Sequence, residues 1–376
     1  MSEYCTLPSE ALRDNALVGW DLRTPLCQEL GIQYPIFSVG FGSGAVPELV
    51  AAVSNAGGFG VLGSEIPRDE MQRRITRVRR LTDLPFGVNF IIQDEDEEGR
   101  AFFRDEVAAV FAQRVAAVVL FWGDPAPFIQ LAHSNGVKVF IQVGSVEEAR
   151  AAADAGVDAV IVQGIEAGGH VRGTASIWQL LPATVEAIKP VPVLASGGIG
   201  DGAGVARALR LGARGVSLGT RFVASDEASF HPAHKQRIVE STAKDTVLSE
   251  LYDAWWPGAP HRTLRNKTFE EWDAAGRPPS GKRPGEGTTI GQRRRSSGEW
   301  QEWPRYAVGA IPPDFEGDLE RVPMLVGESC TVVNDIKPAA EIVRDLVRDA
   351  EAALADAARR RLTAYPWQSV TRQDAL

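Results

Sequence analysis

The sequence predicts an α/β protein: a (β/α)8 TIM barrel with an irregular C-terminal excursion and a long closing helix. Two observations predict it. Eight short apolar runs, each leading into a helical stretch, follow one another over roughly 200 residues. The last two runs end in glycine-rich loops, where barrels commonly build a phosphate site. A doubly wound open sheet shares the alternation, but the count of eight and the two terminal loops favour closure.

The elements follow in order. Residues 1–24 form an N-terminal arm, and the barrel occupies 25–249. Pro35 to Phe41 is the first strand, and Pro47 in the first turn starts the helix near Val46 to Ala56. Phe59 to Gly63 is the second strand, followed by a charged helix from Arg68 to Leu81. Phe86 to Ile92 carries Asn89 at its polar end, and an acidic loop (Asp94 to Glu98) leads to a helix near Ala101 to Gln113. Ala116 to Phe121 and Lys138 to Val143 are strands, with helices at Pro125 to Asn135 and Val146 to Ala155. Ala159 to Val162 is a continuous apolar run, the pattern of a strand buried on both faces. A helix near Ser176 to Ile188 follows, then the strand Val191 to Ala195, the helix Asp201 to Leu211 and the strand Gly215 to Leu218. Ala224 to Thr242 reads as helical. Residues 250–335, with clustered Trp, Pro, Gly and charge, read as an irregular excursion serving as a lid or as an oligomer contact in a homodimer. Residues 336–376 hold the closing Ala/Arg/Asp-rich helix, Ile336 to Leu362, which returns to the barrel.

The totals narrow the function. A net charge of −9 argues against nucleic-acid binding, so the basic run Arg293-Arg294-Arg295 is a solvated loop. Any anionic ligand has to be held by local dipoles. The three cysteines (Cys5, Cys27, Cys330) are widely spaced, which implies neither a zinc site nor a disulfide framework. No apolar run approaches ~18 residues, so no membrane span is expected. The first residues, MSEYCTLPSEALRDN, lack a signal-peptide layout, and a cytoplasmic protein is the expectation.

Chemistry concentrates in three loops. Ser196-Gly197-Gly198 and Gly219-Thr220-Arg221 each follow an apolar strand and precede a helix, where backbone N–H groups bind phosphate without net positive charge. Arg221 is placed to add a charge-assisted contact, and a branched side chain at Gly198 is expected to occupy the phosphate's position. Gly40, Phe41, Gly42, Asn89, Gln142 and Gln163 lie at the remaining strand ends. Amides and bare backbone suit the edge of a flat heterocycle such as a flavin, although any one amide could equally tie down a loop. The third loop, Gly164 to Gly169, delivers His170 directly after a buried strand. His231 and His234 are assigned structural roles, His133 and His261 have no supporting context, and no residues have metal-ligand spacing. His170 is thus the candidate acid–base group.

The segments PIFSVGFG (35–42), NAGGFGVLG (55–63), PFGVN (85–89), GIEAGGH (164–170), LASGGIGDG (194–202) and SLGTRF (217–222), with the tail PMLVGESCTVVNDIKPAAEIVRDLV (323–347), resemble the nitronate monooxygenase family, formerly 2-nitropropane dioxygenases. The resemblance implies an FMN-binding TIM barrel. It implies FMN phosphate on Gly197, Gly198, Gly219 and Thr220, with Gly40, Phe41, Gly42, Asn89, Gln142, Gln163 and Gly169 along the ring and ribityl chain, and Gly168, Ser196, Leu218 and Arg221 as further cofactor-binding residues. It implies His170 as catalytic base toward a small-molecule nitroalkane, with O2 as oxidant and a carbonyl compound plus nitrite as products. Two departures stand out: many bacterial members carry Lys where this chain has Gln142, and Asp where it has Gln163. The flavin-dependent enoyl-acyl-carrier-protein reductases, which use NAD(P)H, are similar enough to supply an alternative.

Overall fold

The first nine strands are β1 (Ile36–Ser38), β2 (Gly60–Leu62), β3 (Phe86–Ile91), β4 (Ala117–Phe121), β5 (Lys138–Val143), β6 (Ala159–Gln163), β7 (Gly169–His170), β8 (Val193–Ser196) and β9 (Gly215–Leu218). All but β7 pair in parallel in the order β1-β9-β8-β6-β5-β4-β3-β2. A parallel bridge between Phe37 and Phe59 joins the two ends. Ser38 N donates to Phe59 O at 3.1 Å and Phe59 N to Ile36 O at 2.8 Å, so the sheet closes on itself. The expected eight-stranded barrel is present. This computed structural model describes residues 22–64, 66–92, 97–295 and 298–364. Most of the expected arm, residues 94–96 of the acidic loop and the C-terminal residues from 365 lie outside the described residues.

The barrel is filled because its strands alternate with period two. Phe37, Phe59, Val61, Val119, Phe140, Ile161 and Leu194 form one buried cluster inside it. The Phe37 ring lies 5.1 Å from Phe59 and 6.3 Å from Phe140. Each such side chain contributes roughly 1.5–3 kcal/mol by leaving water. The short helix Pro25–Leu30 plugs the bottom with Leu26, Cys27 and Leu30, and Gly31 ends it in the left-handed region at φ 69°. Two residues further along β3, β5, β6, β8 and β9 the inward positions turn polar, as Asn89, Gln142, Gln163, Ser196 and Ser217. The same parity that builds the core therefore sets a polar layer at the C-terminal mouth.

Two expectations need correction. The stretch Ala224 to Thr242 is helical only over Pro232–Glu240, and the short helix Thr220–Val223 ends before the stretch begins. His231 starts the Pro232–Glu240 helix by accepting from Ala233 N through Nδ1 at 3.1 Å, and Pro232 has no N–H to continue an earlier turn. The excursion also has regular structure. It holds β11 (His261–Leu264), β12 (Thr289–Arg294), β13 (Trp300–Pro304) and β14 (Glu316–Gly317), and β10 (Thr246–Ser249) comes immediately before it. β10, β11 and β7 form one antiparallel sheet, and β13, β12 and β14 another. Trp303 is fully buried beneath the second, against Phe315 at 5.6 Å. Trp303 is thus the core of a small added layer, whereas Trp255 and Trp300 of the same excursion are exposed.

The closing helix spans Ala339–Ala364 and packs on the helix Gly202–Arg210. A Cβ at Gly202 would lie 2.5 Å from Ala350 N, so this contact depends on glycine.

Candidate active site

One cavity lies at the barrel mouth, and every barrel strand except β2 contributes to it at or near its C-terminal end. Gly40, Phe41, Gly42, Asn89, Gln142, Gln163, Gly168, Gly169, His170, Ser196, Gly197, Gly198, Gly219 and Thr220 all line it. None of the described lining residues is Asp, Glu, Lys or Arg. A charge-free wall leaves backbone N–H groups, amides and hydroxyls as the polar partners for a ligand.

The two glycine loops reach the cavity differently. Gly197 and Gly198 adopt φ 94° and 70°, a region L side chains rarely enter. A Cβ at Gly198 would point at Glu166 Cβ, 3.0 Å away. A side chain there would strain the loop rather than fill the pocket, contrary to the expected blockage. Gly219 has an ordinary backbone at φ −96° and ψ −77°. Nothing stands nearer to its missing Cβ than Val39 Cγ2 at 3.9 Å, so Gly219 is where the cradle opens onto the cavity.

Arg221 departs from expectation. Its guanidinium turns away and donates to Asp335 Oδ1 at 2.8 Å, Asp335 O at 2.8 Å and Ala224 O at 3.0 Å, stapling the eighth loop to the tail. Leu218 likewise sits in the core, its carbonyl accepting from Val39 N at 3.1 Å. Neither lines the cavity.

The amides hold the frame while bordering the pocket. Asn89 Nδ2 donates to Val119 O at 3.0 Å. Gln163 Nε2 donates to His170 O at 3.0 Å, and its Oε1 accepts from Arg172 N at 2.7 Å. Gln163 thereby fixes the backbone on both sides of the His170–Val171 step.

His170 is held from outside the barrel. Its two-residue strand pairs antiparallel with β11, His170 opposite His261 and Gly169 opposite Arg262. Val171 N donates to Pro260 O at 2.8 Å. Arg262 donates to Ile165 O at 2.8 Å and pairs with Glu328 at 3.1 Å, binding the loop to the tail. Burial pushes the His170 imidazole down to about 3, and His261 adds to the shift. At neutral pH the ring is therefore uncharged, and its Nε2 is buried with no hydrogen-bond partner.

Several site residues were not anticipated. Val308, Gly309, Ala310, Leu325 and Ser329 roof the cavity from the excursion and tail. His261 lies 5.7 Å from His170, and Trp256 lies 4.1 Å from it. Ser217 shares the inward parity of Gly215, a signal that was present in the sequence. The others come from segments distant in the chain, for which local pattern gave no signal. The structural reading of His234 holds: it is fully buried and its Nε2 meets Leu325 O at 3.2 Å.

Among the described residues no group of three or more His, Cys, Asp or Glu could hold a metal ion, and no helix is long and apolar enough to cross a membrane.

A filled barrel with its polar layer and cavity at the C-terminal mouth defines the class, a TIM-barrel enzyme. The model of the nitronate monooxygenase family matches residues 23–349. The chain belongs to that family of oxidoreductases. It is 35% identical over 288 residues to a probable nitronate monooxygenase of Staphylococcus saprophyticus, covering 65% of this chain and 79% of that one. It is 31% identical over 353 residues to a (3aS,4S,5R,7aS)-5-hydroxy-7a-methyl-1-oxo-octahydro-1H-indene-4-carboxyl-CoA dehydrogenase of Mycobacterium tuberculosis, covering 88% and 96%. The solved structure of FabK from Thermotoga maritima superposes with a TM-score of 0.72 at 30% identity, over 90% of this chain and 99% of that one.

Proposed function

We propose that the protein oxidises alkyl nitronates, and nitroalkanes through them, with O2 to a carbonyl compound and nitrite, using FMN held in the barrel-mouth cavity. One observation carries the reading: a charge-free cavity bordered by a single imidazole that is uncharged at neutral pH. The residues present suit FMN. Backbone at Gly197, Gly198, Gly219 and Thr220 would hold the phosphate, and Gly40 to Gly42, Asn89, Gln142 and Gly169 would lie along the ring and ribityl chain. When bound, the flavin supplies the electron chemistry between substrate and oxygen.

The chain's own residues supply the rest. His170, uncharged at neutral pH, accepts the α-proton of a neutral nitroalkane, and the nitronate anion formed beside it offsets the burial that otherwise resists a charged ring. A preformed nitronate needs no such transfer. Gln163 and β11 hold the His170 backbone, and the roof residues limit water at the reacting carbon.

A second reading is NAD(P)H-dependent reduction, or dehydrogenation of a CoA thioester. It is favoured by the match to the carboxyl-CoA dehydrogenase, which runs over 96% of that protein, against 79% for the probable nitronate monooxygenase. The FMN-loaded protein separates the two when its absorbance is followed anaerobically. A band that persists with NADH and bleaches with a nitronate supports the proposal, whereas bleaching by NADH alone refutes it in favour of the reductase.

A further inference from the structure

His170 Nε2 is sealed even though the residue borders the cavity. If this nitrogen receives the substrate proton, one of the groups around it has to move, because proton transfer needs contact within about 3 Å. The surrounding groups differ in their freedom to do so.

His261 is fixed. It is fully buried on β11, its Nε2 accepts from Tyr252 N at 3.2 Å, and its Nδ1 faces Ala259 O at 3.0 Å. The Tyr252 N–H requires an acceptor at Nε2, so the ring proton sits on Nδ1 and donates to Ala259 O. The ring can neither turn nor gain a proton without losing a buried hydrogen bond. The charged groups on the neighbouring elements are paired: Arg172 with Glu148 at 2.7 Å, Arg262 with Glu328 at 3.1 Å and Arg283 with Asp253 at 2.6 Å.

Trp256 is different. Its ring lies 4.1 Å from the imidazole, inclined at 40°. It is carried by a segment with no helix or strand, in which Ala254, Trp255, Pro257 and Gly258 are exposed. Gly258 adopts φ 70° with open space around it. The indole also meets Trp122 at 5.0 Å, and the Arg172 guanidinium lies 4.7 Å over that second ring. Trp122 thus forms a resting place for Trp256 next to the base, supported by a cation–π contact.

We propose that Trp256 is the gate and positioning residue of His170: its indole seals Nε2 against water, and displacement of the 253–258 turn gives a carbon acid access to that nitrogen. The proposal rests on His170 being the base.

The test is carbethoxylation of the purified protein with diethylpyrocarbonate, read by peptide mass spectrometry. His133, whose side chain is 44% exposed, is the internal reference. In Trp256→Ala the His170-to-His133 modification ratio is expected to rise about tenfold or more, while Trp256→Phe stays near the parent because a ring still covers the nitrogen. Equal ratios in the parent and Trp256→Ala overturn the proposal. So does an equal rise in Trp255→Ala, which would signal general loosening of the turn. The ratio does not depend on turnover: a protein inert toward nitronates that still shows the Trp256 effect retains the seal and loses only the proposed reaction.

Discussion

Gly219→Val tests the phosphate cradle most directly, because the structure separates its steric effect from backbone strain. At φ −96° and ψ −77° position 219 accepts an L side chain. The new Cβ meets nothing closer than 3.9 Å, so the folded protein should change in stability by less than about 0.5 kcal/mol. The isopropyl group would stand where the FMN phosphate is proposed to bind. Each charge-assisted hydrogen bond lost there costs about 1.5–3 kcal/mol, so losing two weakens binding by about 10²- to 10⁴-fold. Titrating apoprotein with FMN and following flavin fluorescence gives the Kd, and a thermal scan provides the control. Gly198→Val is the contrast: at φ 70°, with Glu166 Cβ 3.0 Å away, it should cost about 1–3 kcal/mol in folding before any ligand is considered. A Gly219→Val protein that binds FMN like the parent refutes the placement of the phosphate.

Three further outcomes are expected. His170→Asn should retain bound flavin yet lose turnover with neutral nitroalkanes by about 10²-fold or more, and far less with preformed nitronates; steady-state rates on both substrates check this, and equal losses remove the base role. Stability should fall with acid, because burial holds His170 at about 3 and His234 at about 4. Above roughly pH 6.5 neither residue is protonated in either state, whereas below it the unfolded chain takes up protons that the fold refuses, costing about 2 kcal/mol per histidine between pH 7 and 5. Urea midpoints at the two pH values should show that decline, and His234→Gln should remove about 2 kcal/mol of it. Gly168→Ala should destabilise by about 1–3 kcal/mol, because its Cβ would lie 2.2 Å from Gly327 N and push apart the loop and the tail. An unchanged Tm would show that this contact is dispensable.

The sequence by itself determined the barrel, the two glycine loops and His170. Strand parity is local information: the alternation that buries Phe140 and Ile161 also turns Gln142 and Gln163 inward two residues later, so most of the mouth was legible. Tertiary structure decided what covers and fixes that mouth. Period and composition show that a face is buried, not which distant segment buries it. Hence β11, beginning about ninety residues after His170, could not be read as its pairing partner, nor His261 and Trp256 as its neighbours. The tail claimed Arg221 in the same way, across 114 residues, since Asp335 comes within 2.8 Å only in the folded chain. The glycines were recognised from sequence, but their roles depended on the direction of the missing Cβ. At Gly198 it points into Glu166, and at Gly219 into open cavity, because φ and neighbouring backbone set that vector and residue type does not.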